Sequence, residues 1–285
     1  MNIAVLAAQG QLGSDVAQVL NAAGHDVQSL GRDVDILDED GLQEAFSRLK
    51  PNAVINCAAY TKVDDCEDQT LHAFHVNAVG ALNVARASAE QDAHLVHIST
   101  DYVFDGTQGQ YTEHDVPRPI NVYGSSKWAG ENLVQQVGGR WAVVRVSSVY
   151  GKAGNGGRGG NFIETILKRA QDTGKLNVVN DIYMSPTYTR DAAAALGVLI
   201  KEGFTGLTHL SSFERVTWYD FAKAAVEMTR VQASVTPVPA STYPTKATRP
   251  KDSSLTTIML PDDAEAKMQP WQDALRAYLT EKHYL

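Results

Sequence analysis

Apolar residues along this chain follow two alternating spacings. Short apolar runs at 2–7, 26–30, 53–56, 94–99 and 141–146 have the length of strands. Between them, at 11–23, 40–49, 70–91 and 122–137, apolar residues return every three or four positions, as on one face of a helix. In the first helical stretch the stripe is Leu12, Val16, Val19 and Leu20. Gly24 ends that stretch, and Lys50-Pro51 stops the second. Repeated strand–helix alternation predicts a parallel sheet covered on both faces, with ligands at the carboxyl ends of its strands. The expected fold class is α/β, a Rossmann-like doubly wound parallel sheet.

Beyond Gly151 the rhythm loosens. Gly154, Gly156, Gly157, Gly159 and Gly160 read as a mobile loop. Helices are expected over 162–173 and 191–202, and a terminal helix over 269–282. The stretch 235–250 carries Pro237, Pro239, Pro244 and Pro250 and reads as an extended path over a surface. Residues 1–150, with roughly 188–205 returning to them, are expected to form a dinucleotide-binding domain. Residues 151–187 and 206–285 are expected to form a smaller C-terminal α/β substrate lobe. There is no internal repeat and no low-complexity tract.

Composition narrows the class. The chain has 285 residues, 44% hydrophobic and 20% charged, the profile of a globular protein with a large core. A net charge of −8 argues against nucleic acid or an anionic membrane as the main partner. No apolar run approaches the roughly 20 residues of a membrane span. The first residues lack the basic start and cleavage site of a signal peptide. Cys57 and Cys66 are the only two cysteines, too few for a disulfide framework, so a cytoplasmic location is expected.

The first strand runs into Ala7-Ala8-Gln9-Gly10-Gln11-Leu12-Gly13, close to the glycine fingerprint of dinucleotide-binding turns but with alanine at its first position. Gly10 would let backbone approach a pyrophosphate, Gly13 would let helix and sheet pack closely, and the helix amino end would face the anion. Arg32 and Asp33 follow the second strand. The arginine suits a 2′-phosphate and the acid a 2′-hydroxyl, which leaves NADPH and NADH both open. Asn56-Cys57-Ala58-Ala59-Tyr60 leaves the third strand with small side chains, against which a cofactor could lie.

The chemistry-bearing residues are Thr100, in Ser99-Thr100-Asp101-Tyr102-Val103-Phe104, and Tyr123 and Lys127, in Asn121-Val122-Tyr123-Gly124-Ser125-Ser126-Lys127. Residues four apart share a helix face. A phenol, with an ordinary pKa near ~10, is a sluggish acid at neutrality. An adjacent ammonium would lower that pKa and could also hold a nucleotide ribose. Thr100 could donate to the same carbonyl oxygen. Cys66, His72 and His75 match no standard zinc spacing. His94 and His97 face opposite sides of a strand. The run Asp64, Asp65, Glu67 and Asp68 reads as a solvated helix start. No metal is expected.

Together these motifs resemble the dTDP-4-dehydrorhamnose reductase family of the extended short-chain dehydrogenase/reductase superfamily. The resemblance runs nearly end to end, through Val149-Tyr150-Gly151, Asn161-Phe162, Ser185-Pro186-Thr187, Thr217 to Phe221 and Arg249-Pro250. It implies NADPH or NADH reducing the C4 ketone of a nucleotide-diphospho-deoxysugar. Tyr123 would give the proton, Lys127 would tune it and Thr100 would orient the carbonyl. Gly10, Gln11, Leu12, Asp35, Ile36, Ala58, Ala59 and Tyr60 would meet the cofactor. Thr61, Val63, Asp101 and Tyr102 would lie near the sugar, with Arg249 in the smaller lobe over the nucleotide. Ser148 stands where the family usually has tryptophan, and Ile182 and Met184 add apolar bulk beside the proposed pocket, which leaves the identity of the sugar open. The alternatives are an epimerase or dehydratase of the same superfamily, which returns the hydride to its substrate, and a non-catalytic regulatory subunit resembling the methionine adenosyltransferase beta subunit. A homodimer is compatible with the sequence.

Overall fold

The structure, a computed structural model, describes residues 1–153 and 160–285. Apart from Gly160, the glycine-rich stretch read as a mobile loop lies outside the described residues. Six strands, β1 (Asn2–Leu6), β2 (Asp26–Leu30), β3 (Ala53–Asn56), β4 (His94–Thr100), β5 (Trp141–Val146) and β6 (Gly206–Leu210), form one sheet in the order β6-β5-β4-β3-β1-β2. All five pairings are parallel. Side chains alternate across the pleat. Ile3 and Val5 meet Leu12, Val16, Leu196 and Leu199 on one face. Ala4 and Leu6 meet Leu42, Phe46, Val84 and Ala85 on the other. Strand order reverses at β1, which lies between β2 and β3, and a ligand crevice opens at the carboxyl ends of strands at such a point.

The expected division of the chain needs a correction. Residues 206–210 were assigned to the smaller lobe, yet they are the sixth strand of the central sheet. Leu260 and Ala264 also join the apolar core of that sheet. Edge strands and short return segments carry too little periodicity to declare their partner. A separate apolar core gathers Ile163, Leu167, Leu176, Phe221, Leu275 and Tyr278. Around it run Lys175–Val179 paired with Ser234–Val238 and Tyr183–Met184 paired with Val216–Thr217. Part of the proline-rich path is therefore a strand, and Met184, 2% exposed, fills this core instead of projecting beside a pocket.

The single helix expected over 70–91 is three pieces, Thr70–Phe74, a π-helical turn at His75–Val79, and Gly80–Glu90. The wider turn carries Asn77, whose carboxamide bonds the loop after β3 and the helix Val122–Val137. The π-turn is only five residues long, too short for apolar spacing to set it apart from the helix on either side.

Candidate active site

The turn after β1 is built for close approach. Ala7 occupies the left-handed region with φ 54°, and its carbonyl accepts the Gly10 N–H at 2.8 Å. A β-carbon on Gly13 would overlap that carbonyl, so only glycine lets the helix Gln11–Ala22 start this near the strand. Gly10 caps the helix with extended backbone and no side-chain bond, which leaves its first N–H groups available to an anion. The Gln11 side chain donates to the Val149 carbonyl at 2.7 Å, while its buried Oε1 has no partner. The uncapped helix start fits the phosphates of a dinucleotide, and the orphaned acceptor fits one of its hydroxyls. Leu12, next on the helix, is buried in the core.

Arg32 and Asp33 are exposed past the end of β2, and the Asp33 carboxylate accepts the Gly31 N–H. Asp35 accepts the Leu37 N–H at 2.9 Å. The Ile36 side chain is buried against Gly80, so only its backbone can face a ligand. After β3 the Ala58 N–H donates to Asn56 Oδ1 at 3.0 Å, and the Tyr60 N–H to Asn77 Oδ1 at 2.7 Å. The Asn77 amide returns to the Tyr60 carbonyl at 3.1 Å and to Ser126 Oγ at 2.9 Å. Asn77 was missed by sequence reasoning. An asparagine on the buried face of a helical stripe was the available signal. Ala58, Ala59 and Tyr60 are half-buried, Thr61 is exposed, and Val63 opens the short helix Val63–Asp68.

The second strand end carries Thr100 at the tip of β4. Its hydroxyl donates to Asp101 Oδ1 at 3.0 Å and accepts the Tyr102 N–H at 3.2 Å. The hydrogen expected to point at a substrate carbonyl is thus directed at Asp101. Asn121 caps the helix Val122–Val137 through the Gly124 N–H at 2.7 Å. Because Gly124 has no β-carbon, the helix start lies on the Tyr102 carbonyl. That contact brings the Tyr123 phenol to the Thr100 hydroxyl and sets its ring edge-on to Tyr102, 5.9 Å between centroids. One turn on, the Lys127 amine is buried, 2.7 Å from the Ile98 carbonyl and 3.4 Å from His97 Nε2. Glu131, a further turn on, forms a fully buried pair with Arg145 at 2.7 Å and accepts the Ser99 hydroxyl at 2.5 Å, pinning helix to sheet.

The structure sets the Tyr123 phenol at the Thr100 hydroxyl and the buried Lys127 amine one helical turn on, facing His97 and the Ile98 carbonyl, and the electrostatics differ from the expectation. Burial raises the Tyr123 phenol above its ordinary value, partly opposed by Thr100, and Lys127 does not offset it. Burial also pushes Lys127 down to about 8, against the smaller opposing pull of Glu131 and Cys57. Desolvation disfavours charge on both groups and is the largest influence on each.

On the substrate side, the acidic run starts the helix Val63–Asp68 and stays largely exposed, and its carboxylates also take partners far along the chain. Asp64 pairs with Arg249 at 3.1 Å and accepts the Ala247 N–H at 3.0 Å. Asp68 pairs with Lys246, and Glu67 accepts the Val122 N–H at 2.9 Å. The short acidic helix clasps the proline-rich segment across the chain. Arg249 lies 6.0 Å from the centre of the Tyr102 ring and keeps a buried Nη1 without a partner. Asp101 is fully used inside, accepting Ser147 at 2.9 Å and Ser253 at 2.5 Å as well as Thr100. Ser148 is half-buried in the left-handed region with φ 44°. Among the described residues, no three His, Cys, Asp or Glu side chains converge as metal ligands would. None of the described helices is long and apolar enough to cross a membrane.

The chain is similar to known proteins along nearly its whole length. The family model for the RmlD substrate binding domain matches residues 1–284. The spore coat polysaccharide biosynthesis protein SpsK of Bacillus subtilis is 36% identical over 98% of this chain and 97% of its own length. The dTDP-4-dehydrorhamnose reductase of Escherichia coli is 32% identical over 99% and 98%. The crystal structure of dTDP-4-dehydrorhamnose reductase from Bacillus anthracis in complex with NADP superposes with a TM-score of 0.92 at 35% identity, covering 98% of both chains.

Proposed function

This chain belongs to the RmlD substrate-binding-domain family, that of the dTDP-4-dehydrorhamnose reductases, and from that premise we propose that it is an NADPH- or NADH-dependent oxidoreductase that reduces the C4 ketone of a nucleotide-diphospho-deoxysugar, dTDP-4-dehydrorhamnose to dTDP-L-rhamnose. The observation that carries this reading is the Tyr123 phenol set at the Thr100 hydroxyl, one helical turn before the buried Lys127 amine. When bound at the Ala7–Gly13 turn, the nicotinamide cofactor supplies the hydride. The helix start at Gly10 to Gly13 would hold its phosphates, Gln11 Oε1 would accept one of its hydroxyls, Arg32 would suit the adenosine end, and Ala58 to Tyr60 would line its path.

Tyr123 gives the proton that quenches the developing alkoxide. Its raised pKa keeps the phenol protonated at neutral pH, ready to act as an acid. Thr100 turns its hydroxyl from Asp101 to the substrate carbonyl and orients it. Lys127 bears charge near neutrality and holds the ribose. Arg249, with its free Nη1, meets the nucleotide diphosphate, while Thr61, Val63, Tyr102 and Ser148 surround the sugar. The protein acts in the cytoplasm, with Cys57 and Cys66 as free thiols. It works as a homodimer or as a single chain, which sedimentation distinguishes.

The test is NADPH oxidation over a panel of 4-keto nucleotide sugars, with product configuration assigned by NMR. Net cofactor consumption separates reduction from epimerisation. Tyr123→Phe should lower kcat by about 10²–10⁴-fold with NADPH affinity retained. Undiminished turnover in that variant would remove the proposed acid.

A further inference from the structure

Lys127 does not stand alone at the base of the site. Its amine touches a buried chain of polar groups that begins at a backbone N–H and runs through Asn56 and His97. All three side chains are at most 2% exposed. The roles along this chain follow from its first member. The Ala58 N–H can only donate, and it lies 3.0 Å from Asn56 Oδ1. The carboxamide oxygen is therefore fixed toward Ala58, and the Asn56 amide nitrogen faces His97 Nδ1 at 3.2 Å. An amide nitrogen only donates, so Nδ1 must accept and carries no proton. A neutral imidazole with a bare Nδ1 has its hydrogen on Nε2. That hydrogen points at the Lys127 nitrogen, 3.4 Å away. An ammonium has no lone pair to receive it, whereas a neutral amine has one. The amine's own hydrogen goes to the Ile98 carbonyl at 2.7 Å.

We propose that His97 is a positioning residue for the reaction: held in its Nε2–H form by Asn56, it turns an N–H toward Lys127 and biases that side chain against its ammonium form. This rests on the reading of Lys127 given above. Protonating Lys127 sets an ammonium against an N–H and loses the acceptor, so His97 lowers the pH at which the site acquires its cation. The other ionisable groups facing Lys127 act the opposite way. They are the Cys57 thiol at the end of β3 and Glu131 on the same helix, whose carboxylate is already committed to Arg145 and Ser99. Tyr123, one turn earlier, is held neutral by burial. Desolvation of Lys127 works in the same direction as the histidine.

The first measurement needs no variant and no substrate. In histidine-labelled, ligand-free protein near pH 7, the nitrogen NMR shifts of His97 should show the neutral Nε2–H form. A neutral Nδ1–H form, or an imidazolium, overturns the proposal. The second follows the Lys127 ε-carbon shift through a pH titration. His97→Leu removes the donor, and Asn56→Asp offers Nδ1 an acceptor and turns Nε2 toward accepting from Lys127. Each should raise the Lys127 titration midpoint by about 1 pH unit or more. In His97→Leu the basic limb of kcat/KM should move by the same amount, which a purely structural role would not produce. An unmoved midpoint in a folded His97→Leu protein overturns the proposal. If Tyr123→Phe kept full activity, the proposed acid would fall, yet both NMR results would still judge the histidine.

Discussion

Two regions adjoin through the ring of Tyr102, and they are held in opposite ways. The Thr100–Tyr123–Lys127 cluster is fixed by regular elements. A strand end, a capped helix and a buried Arg145–Glu131 pair set it, and a β-carbon at Gly124 would break its closest contact. The Lys246–Pro250 segment is fixed by charges at the surface. Lys246 and Asp68 remain 63% and 58% exposed in their pair, and Asp64 is 40% exposed against Arg249. Exposed pairs contribute only about 0–1 kcal/mol each and are screened by salt. The groups assigned to chemistry are fixed by packing, while the segment that carries Arg249 adds those exposed pairs to the buried Ala247 and to a bond from the Asn121 amide to the Thr248 carbonyl at 2.9 Å.

The comparison breaks most sharply at Gly124. Gly124→Ala forces the helix off the Tyr102 carbonyl, displacing Tyr123 from Thr100. We expect a loss of about 1–3 kcal/mol in stability and a fall in kcat well beyond that in cofactor affinity, read by thermal melts and steady-state kinetics. Unchanged kcat would mean the helix start is not what places the phenol.

Asp101 sharpens it, because its carboxylate joins the cluster to the C-terminal chain through Thr100, Ser147 and Ser253. Burial pushes it up from 3.8 to about 6 in spite of these three donors. A folded-state pKa above the unfolded one means that its contribution to stability is full below about pH 4 and is lost as pH rises through about 6. Asp101→Asn removes that loss. Relative to the parent, the variant should gain about 1–3 kcal/mol between pH 4.5 and pH 7.5 in urea melts. A difference that does not change with pH would show that the carboxyl titrates normally.

The smallest effect is expected in the clasp. Asp64→Asn with Asp68→Asn should raise KM for the nucleotide sugar about 2–10-fold, leave kcat near its parent value, and matter less at high salt. An equal fall in kcat would show that the segment also positions the reacting groups.

Much of this was legible in the sequence, for identifiable reasons. Five of the six sheet strands follow from apolar runs spaced by helical stripes. Thr100, Tyr123 and Lys127 stood out because a residue pair four apart is a helix face and Ser99-Thr100 closes a strand. The sixth strand, Gly206–Leu210, was not legible, because five residues after a helix do not name their neighbour. The burial of Met184 was hidden because an apolar residue fits a pocket wall and a core equally well. The partners of the acidic helix were not legible, because Lys246 and Arg249 lie some 180 residues on, with no local trace of the pairing.

By itself the sequence determined the alternation of elements, the glycine turn and the residue types available for proton transfer, since these depend on local spacing and side-chain chemistry. Only the tertiary structure decided the π-turn that presents Asn77, the hand-off of hydrogens from Ala58 through His97 to Lys127, and the clasp on the proline-rich segment. Each of these depends on desolvation and on contacts between residues far apart in the chain, and neither is encoded in the spacing of neighbours.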